Sequence, residues 1–472
     1  MPSMLTGCTP WPEEFADRYG AAGHWRGTTL DDLLRDAAHQ HGPRTALVHG
    51  AERLTYARLN RRVDRMSAAL RMRGLRPGQR AIVQLPGVPE LVVTVFALMR
   101  AGVIPVLCPL TRRGPEVARL ARVTQAVAYV GPSTYQGYDH TAMCAGIAAQ
   151  RPFLRRVFTW AEPGTSFPYG GLTTDAAGCQ YSPLSLLDAA PGPALTLGAD
   201  QVALFLVSED DDGVLQLVPR THNDYGHQVR AAAEAVALTE GDVYLAALPA
   251  ESALGFGGPG IVGTLSVGGT VVLADSPEPA ACLELLVRER VTVTSVTSST
   301  ARLWIDQLTL HTDDLSHLRL LQVGGGRVGE AGLPDRAVAE RVGPERGCRL
   351  QQLLVMPEGP FVLTGPGDPD EAVCTTRGRP LSPGDEIRVA GPDGDDVPAG
   401  EPGELLARGP SIVRGYYRAP DHNERRFTPD GYFRTGVLAR RTAAGDLVVT
   451  PGAPVAPGIR GPEGARPSPG AS

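Results

Sequence analysis

Paired cysteines are missing from this chain. Its seven (Cys8, Cys108, Cys144, Cys179, Cys282, Cys348 and Cys374) are odd in number, spread out and nowhere at C-x-x-C spacing. That argues against a disulfide framework or a zinc ribbon, and for reduced, mostly buried thiols in a cytosolic protein. No apolar run reaches the roughly 18 residues of a membrane span. The start, polar and acidic around Glu13 and Glu14, does not read as a secretory signal. A cytoplasmic protein that meets no membrane is therefore expected. Clusters of positive charge are missing too: the net charge is −6 with the basic residues scattered, so there is no electrostatic footprint for nucleic acid. No repeat of 20 to 50 residues is visible, which excludes solenoids and propellers. Gly (56) and Pro (42) are abundant and the basic residues lean to arginine. That texture fits a GC-rich genome and weakens any inference from a lone glycine or proline.

What is present is a globular pattern. With 472 residues the chain is too long for one ordinary core, and 42% hydrophobic against 20% charged residues suits a soluble fold rather than disorder. Leu30, Leu33, Leu34 and Ala37 repeat at helical spacing behind a threonine cap, predicting a helix over 29–42. Short strands are expected at 45–48 and 53–56, a helix at 59–70, a strand at 80–85, a helix at 90–101 and a strand at 103–107. Strand, helix, strand is the signature of a parallel α/β unit. The pattern returns after residue 200, with strands at 202–207, 243–248, 271–273 and 291–296 and helices at 224–238 and 282–289. After about residue 365 short strands (386–389, 403–407, 447–449) alternate with Gly, Pro and Asp turns. The fold class is thus α/β, with two layered α/β subdomains (1–200 and 201–364) and a small β-rich subdomain (365–450). Residues 451–472, nearly devoid of large apolar side chains, predict a disordered tail.

Several blocks carry a resemblance. Leu54-Thr55-Tyr56-Ala57-Arg58-Leu59, Phe96 through Val106, Pro219-Arg220-Thr221-His222, Leu321 through Gly326, Gly403-Glu404-Leu405 through Arg414-Gly415-Tyr416-Tyr417, and Tyr432-Phe433-Arg434-Thr435-Gly436 resemble successive motifs of the adenylate-forming (ANL) superfamily, in one register over residues 8–450. Trp11-Pro12 through His24-Trp25 looks like the opening of its aryl-acid–AMP ligase branch, used in siderophore assembly. Such enzymes bind ATP and a carboxylic acid, form an acyl adenylate and pass the acyl group to a thiol. A large N-terminal domain binds both substrates, and a C-terminal lid brings in a catalytic lysine. The resemblance therefore implies the N-terminal-domain fold and a cleft lined by Ser252, Ala253, Leu254, Gly257, Gly258, Gly324, Gly325, Gly326, Leu354, Val355, Met356 and Pro357.

The departures are as telling. Where the family has a phosphate loop S-G-G-T-T-G-x-P-K, this chain has Ser208-Glu209-Asp210-Asp211-Asp212-Gly213-Val214-Leu215-Gln216. Carboxylates replace glycines and threonines that would wrap phosphate, and Gln216 replaces the lysine. The adenine-stacking aromatic is Leu354, with Val355 for the small residue that follows it. The ribose-binding aspartate is Val437, and Gly452 stands where an arginine is expected. Glu358 matches the magnesium-binding glutamate. No counterpart of the C-terminal lid domain is expected in the chain. Taken together these changes predict a degenerate homologue that does not adenylate, needs no cofactor and holds no metal. It would instead bind, and in one version convert without ATP, an aryl or acyl ligand or a carrier-bound intermediate of secondary metabolism. The alternatives are a non-catalytic partner of a carrier protein or another assembly-line enzyme, and a residual ligase that uses a lid in trans.

The acid pocket changes too. The family's P-A-x-H-N-[FY]-P-x-x-S becomes Pro249-Ala250-Glu251-Ser252-Ala253-Leu254-Gly255-Phe256-Gly257-Gly258. The histidine is Ser252 and the hydroxyl-reading asparagine is Ala253. Gly257 and Gly258, in place of serines, are expected to open space. Catalytic candidates are Glu358, His222, Ser252 and Glu251. A Ser–His hydrolase would need His222 as general base beside Ser252, but no G-x-S-x-G elbow accompanies them. Glu209 to Asp212 have oxygen ligands suited to a hard cation, although adjacent residues rarely converge on one ion. The plain reading of that stretch is a solvated loop.

Overall fold

The computed structural model describes residues 4–162, 171–210, 213–308, 315–324 and 347–450. Three β-sheets organise the described residues. In the first, the order is Leu215–Thr221, Val202–Glu209, Ile104–Leu107, Arg80–Val83, Ala128–Pro132, Arg156–Trp160, Gln180–Pro183, Thr173–Thr174. It is parallel from Val202–Glu209 to Gln180–Pro183 with an antiparallel strand at either edge. The second has a parallel centre of Val243–Ala246, Thr270–Leu273, Val293–Val296, Leu320–Val323 and Arg349–Val355, to which Thr45–His49 adds in parallel. The third is a small antiparallel sheet of Glu386–Ala390, Pro402–Arg408, Phe433–Arg441 and Leu447–Val449.

The sheets do not follow the chain division expected at residue 200. Strand Val202–Glu209 and its partner join the first sheet, and Thr45–His49 joins the second. Likewise Phe361–Leu363 and Arg379–Pro380 complete the second sheet, so the third begins at Glu386. Local patterning locates strands; which sheet a strand joins is decided by long-range pairing.

Helices Leu30–Gln40, Tyr56–Met72 and Pro89–Arg100 form a core continuous with residues of both large sheets. Helix Pro89–Arg100 is buried at every position but Glu90, as its nearly unbroken apolar sequence requires. Thr29 caps the first of these helices in a reciprocal pair with Asp32. The helices are also joined by charge. Buried Arg100 donates to Asp31 at 2.7 Å, Asp64 at 2.8 Å and the Asn60 side chain at 2.8 Å. Removing the guanidinium leaves the buried Asp31 carboxylate with Arg35, which donates to its other oxygen at 2.8 Å, as its remaining charged partner. Arg100→Met is therefore expected to destabilise the protein by about 1–3 kcal/mol, read as a lowered midpoint of urea unfolding; an unchanged midpoint would show that the pair contributes nothing.

Candidate functional site

The three sheets meet around the segment that follows strand Arg349–Val355, and one arginine holds the junction. Arg220, at the end of strand Leu215–Thr221, is fully buried. It pairs with Asp224 at 2.7 Å and donates to the carbonyls of Pro357 at 3.0 Å and Ser411 at 2.8 Å. Burial pushes the Asp224 carboxyl up, while Arg220 and the Thr221 hydroxyl and amide pull it back down. The Ser411 stretch is gripped from the other side by two tryptophans. Trp25 donates to Pro410 O at 2.9 Å and Trp11 to Ile412 O at 3.2 Å. Glycine is required at 359: it has φ +121°, and a Cβ there would lie 2.0 Å from Ser411 O.

Glu358 is 1% exposed at this junction. Tyr416 donates to its Oε1 at 2.8 Å, and the Val413 amide to its backbone carbonyl at 2.9 Å. Its Oε2 is buried without a hydrogen-bond partner among the described residues. A carboxylate oxygen in that position suits a hard divalent cation. No group of three or more His, Cys, Asp or Glu stands together as a ligand set among the described residues.

The other catalytic candidates do not converge. His222 begins helix His222–Ala235, and its Nδ1 accepts the Leu30 amide at 3.1 Å. Burial pushes its pKa down to about 4. It is a neutral structural acceptor, which corrects its reading as a general base. The Ser252 hydroxyl accepts the Gly255 amide at 3.0 Å and caps the turn Ala253–Gly257. That role answers the nucleophile reading. Glu251 keeps a carboxyl that burial raises to about 7.

The cleft residues also need correction. Leu254 is buried in a cluster with Ala232, Leu353 and Phe361. A Cβ on Gly257 would lie 2.6 Å from the Tyr225 hydroxyl, and one on Gly258 2.8 Å from Ala232 Cβ. These glycines admit the neighbouring helix and open no space. Gly324 is equally tight against Leu353. Leu354 and Val437 belong to one apolar cluster with Val362, Val389 and Leu405. Met356 packs into the main core. Pro357 contributes its carbonyl to Arg220, and Val355 ends its strand half-buried.

The phosphate-loop counterpart is a hairpin turn. Ser208 pairs with Gln216 and Glu209 with Leu215 across the two strands. Asp210 accepts the Val214 amide at 2.8 Å and the Gln216 side chain at 2.9 Å. Gly213 takes φ +75°. Glu209 is ion-paired to Arg112 at 2.5 Å. Both described carboxylates of this stretch, Glu209 and Asp210, are thus partnered, where the sequence suggested a solvated loop. Asp211, Asp212, Gly325, Gly326 and the tail 451–472 lie outside the described residues, as does the question of a lid. Sequence reasoning passed over Arg112, Tyr416 and Arg220 as site residues. The signal was there for Arg220 and Tyr416, which sit inside recognised motifs.

Comparison with known proteins gives this site its setting. The model of the AMP-binding enzyme family matches residues 34–417. The chain is 37% identical over 446 residues to the 2,3-dihydroxybenzoate-AMP ligase of Bacillus subtilis, covering 94% of this chain and 79% of that one. It is 39% identical over 451 residues to the salicyl-AMP ligase / salicyl-S-ArCP synthetase of Mycobacterium tuberculosis, covering 94% and 77%. The apo structure of MbtA from Mycobacterium smegmatis superposes with a TM-score of 0.83 at 38% identity, over 96% of this chain and 81% of that one. Relatives named as AMP ligases over this much of the chain overturn the expectation of a degenerate, ATP-independent or merely partnering protein. No described helix is long and apolar enough to cross a membrane.

The His222 geometry makes a prediction about acid. Its pKa in the folded protein lies below the ordinary value of about 6.5, so the stability it confers is present above 6.5 and is lost as pH falls toward 4. His140 and His227 are shifted in the same direction. His222→Asn, whose side-chain oxygen can accept the same amide, is expected to flatten part of the fall in melting temperature between pH 6.5 and 4. An unaltered slope would mean that His222 is protonated in the folded state.

Proposed function

We propose that this chain, which belongs to the AMP-binding enzyme family and to its aryl-acid branch, activates an aromatic carboxylic acid as its acyl adenylate. In that reaction the carboxylate attacks the α-phosphorus of ATP and pyrophosphate leaves; a thiol then attacks the acyl carbon of the mixed anhydride, forming a thioester and releasing AMP. The reading rests on the match, across nearly the whole chain, to proteins named as AMP ligases of hydroxylated benzoates. The thiol fits a carrier protein, as the name salicyl-S-ArCP synthetase of one relative suggests.

The residues present support particular roles. Glu358 offers its unpartnered Oε2 to a magnesium ion accompanying ATP, and that ion would offset charge building on the phosphates. Tyr416 fixes the other oxygen and so aims the carboxylate. Arg220 immobilises the turn that carries Glu358 through the Pro357 carbonyl. Ser252 sets the turn at the acid pocket. With Ala253 in place of an asparagine, no side-chain amide stands at that position to read an ortho hydroxyl. The preferred acid is therefore one whose ring does not depend on that contact.

Acid-dependent exchange of labelled pyrophosphate into ATP tests this with the full chain, using benzoate, salicylate, 2,3-dihydroxybenzoate and a naphthoate. Exchange should appear with at least one acid, and salicylate should exceed benzoate by less than about tenfold, the scale of a weakly read group. Glu358→Gln should reduce exchange by about a hundredfold, the scale of losing one preorganised electrostatic contact. Silence with every acid would overturn the reading.

A further inference from the structure

We propose that Arg112 is the phosphate-positioning cation of this site, held on Glu209 until a triphosphate displaces it. The proposal rests on the function proposed above and deepens it. Gln216 is neutral where the family's phosphate loop ends in lysine. The chain can provide no substitute lysine, because it contains none: all 45 of its basic residues are arginine. Within residues 1–472, any side-chain cation other than a histidine that meets the phosphates is a guanidinium.

Arg112 is the guanidinium that reaches the turn. It stands 97 residues before Glu209 in sequence, yet its Nη2 lies 2.5 Å from Glu209 Oε2. Nη1 donates to Glu116 at 2.8 Å. Nε is buried and has no hydrogen-bond partner among the described residues. Its backbone is fixed: the Gln84 amide donates to the carbonyls of Pro109 at 2.7 Å and Arg112 at 3.1 Å. Gln84 is fixed in turn by Tyr129, whose hydroxyl donates to it at 2.9 Å. Arg113 is engaged elsewhere, with its guanidinium 4.2 Å from the centre of the Tyr138 ring.

The pair is also accessible. The Arg112 and Glu209 side chains are 25% and 24% exposed, so solvent and solute reach them. Asp210 and Gln216 bond to each other within the turn, and the Arg112–Glu209 bridge beside it is a contact that a solute can reach. An ion pair that water reaches in this way is weak. A triphosphate offers several charged oxygens in the planar spacing that guanidinium matches in bidentate fashion. Arg112 then moves from one carboxylate to the phosphates, and the Glu209 carboxylate, no longer bridged to it, is repelled from them.

Opposite effects of the two partners are the signature. Calorimetry with inorganic tripolyphosphate on the full chain should show binding to the wild type, at least tenfold weaker in Arg112→Met, partly recovered in Arg112→Lys, and at least threefold tighter in Glu209→Gln. In pyrophosphate exchange, Arg112→Met should raise KM for pyrophosphate more than it lowers kcat. A purely structural bridge would make both variants less stable with no opposed shifts in affinity. Should Arg112→Met fail to fold, Arg112→Lys and Glu209→Gln still decide. Tripolyphosphate affinity unchanged in Arg112→Met, weakened in Glu209→Gln, or absent in the wild type would overturn the assignment. Shifted affinities without any acid-dependent exchange would sink the ligase reading and leave Arg112 as the anion contact. Exchange with an unmoved KM for pyrophosphate would sink Arg112 alone.

Discussion

A fully buried guanidinium is costly to desolvate, and Arg220 is tolerated only because each direction it faces holds an acceptor. Those acceptors come from three places: the helix that follows its strand, the turn that bears Glu358 and the Ser411 stretch beside the small sheet. A single side chain therefore makes the positions of the first sheet, the second sheet and the third sheet depend on one another. Trp11 and Trp25 press the Ser411 stretch onto it from the N-terminal segment. The family's opening and its later motifs are thus contacts across one junction.

Much of the architecture was legible from patterning. The helices at Leu30, Tyr56 and Pro89 and the apolar strands were readable because each buries a continuous face whose period survives in the sequence. The α/β class followed, and the likeness to MbtA bears it out. What patterning missed was partnership. Thr45–His49 and Val202–Glu209 exchange sheets relative to their order in the chain, a choice made by contacts hundreds of residues apart.

The site was less legible, for the same reason at a smaller scale. Glu209 and Asp210 read as part of a solvated loop because their partners, Arg112 and the Val214 amide, are not visible from the run itself. Gly257 and Gly258 suggested a widened pocket, whereas each is small because Tyr225 or Ala232 presses against it. His222 looked reactive until the Leu30 amide was found on its ring nitrogen. In each case residue type was read correctly and the neighbour supplied from another element was unknown. Leu354 and Val437 are likewise explained by a shared apolar cluster between sheets.

The exclusive use of arginine has a chemical corollary beyond phosphate. Acyl adenylates are electrophiles that free amines capture readily, and a chain without lysine presents no ε-amine on any surface to be acylated by them. Guanidinium, protonated throughout the accessible range, is a poor nucleophile. A protein built this way is protected from modification at its side-chain amines by the activated acids of its own family's chemistry.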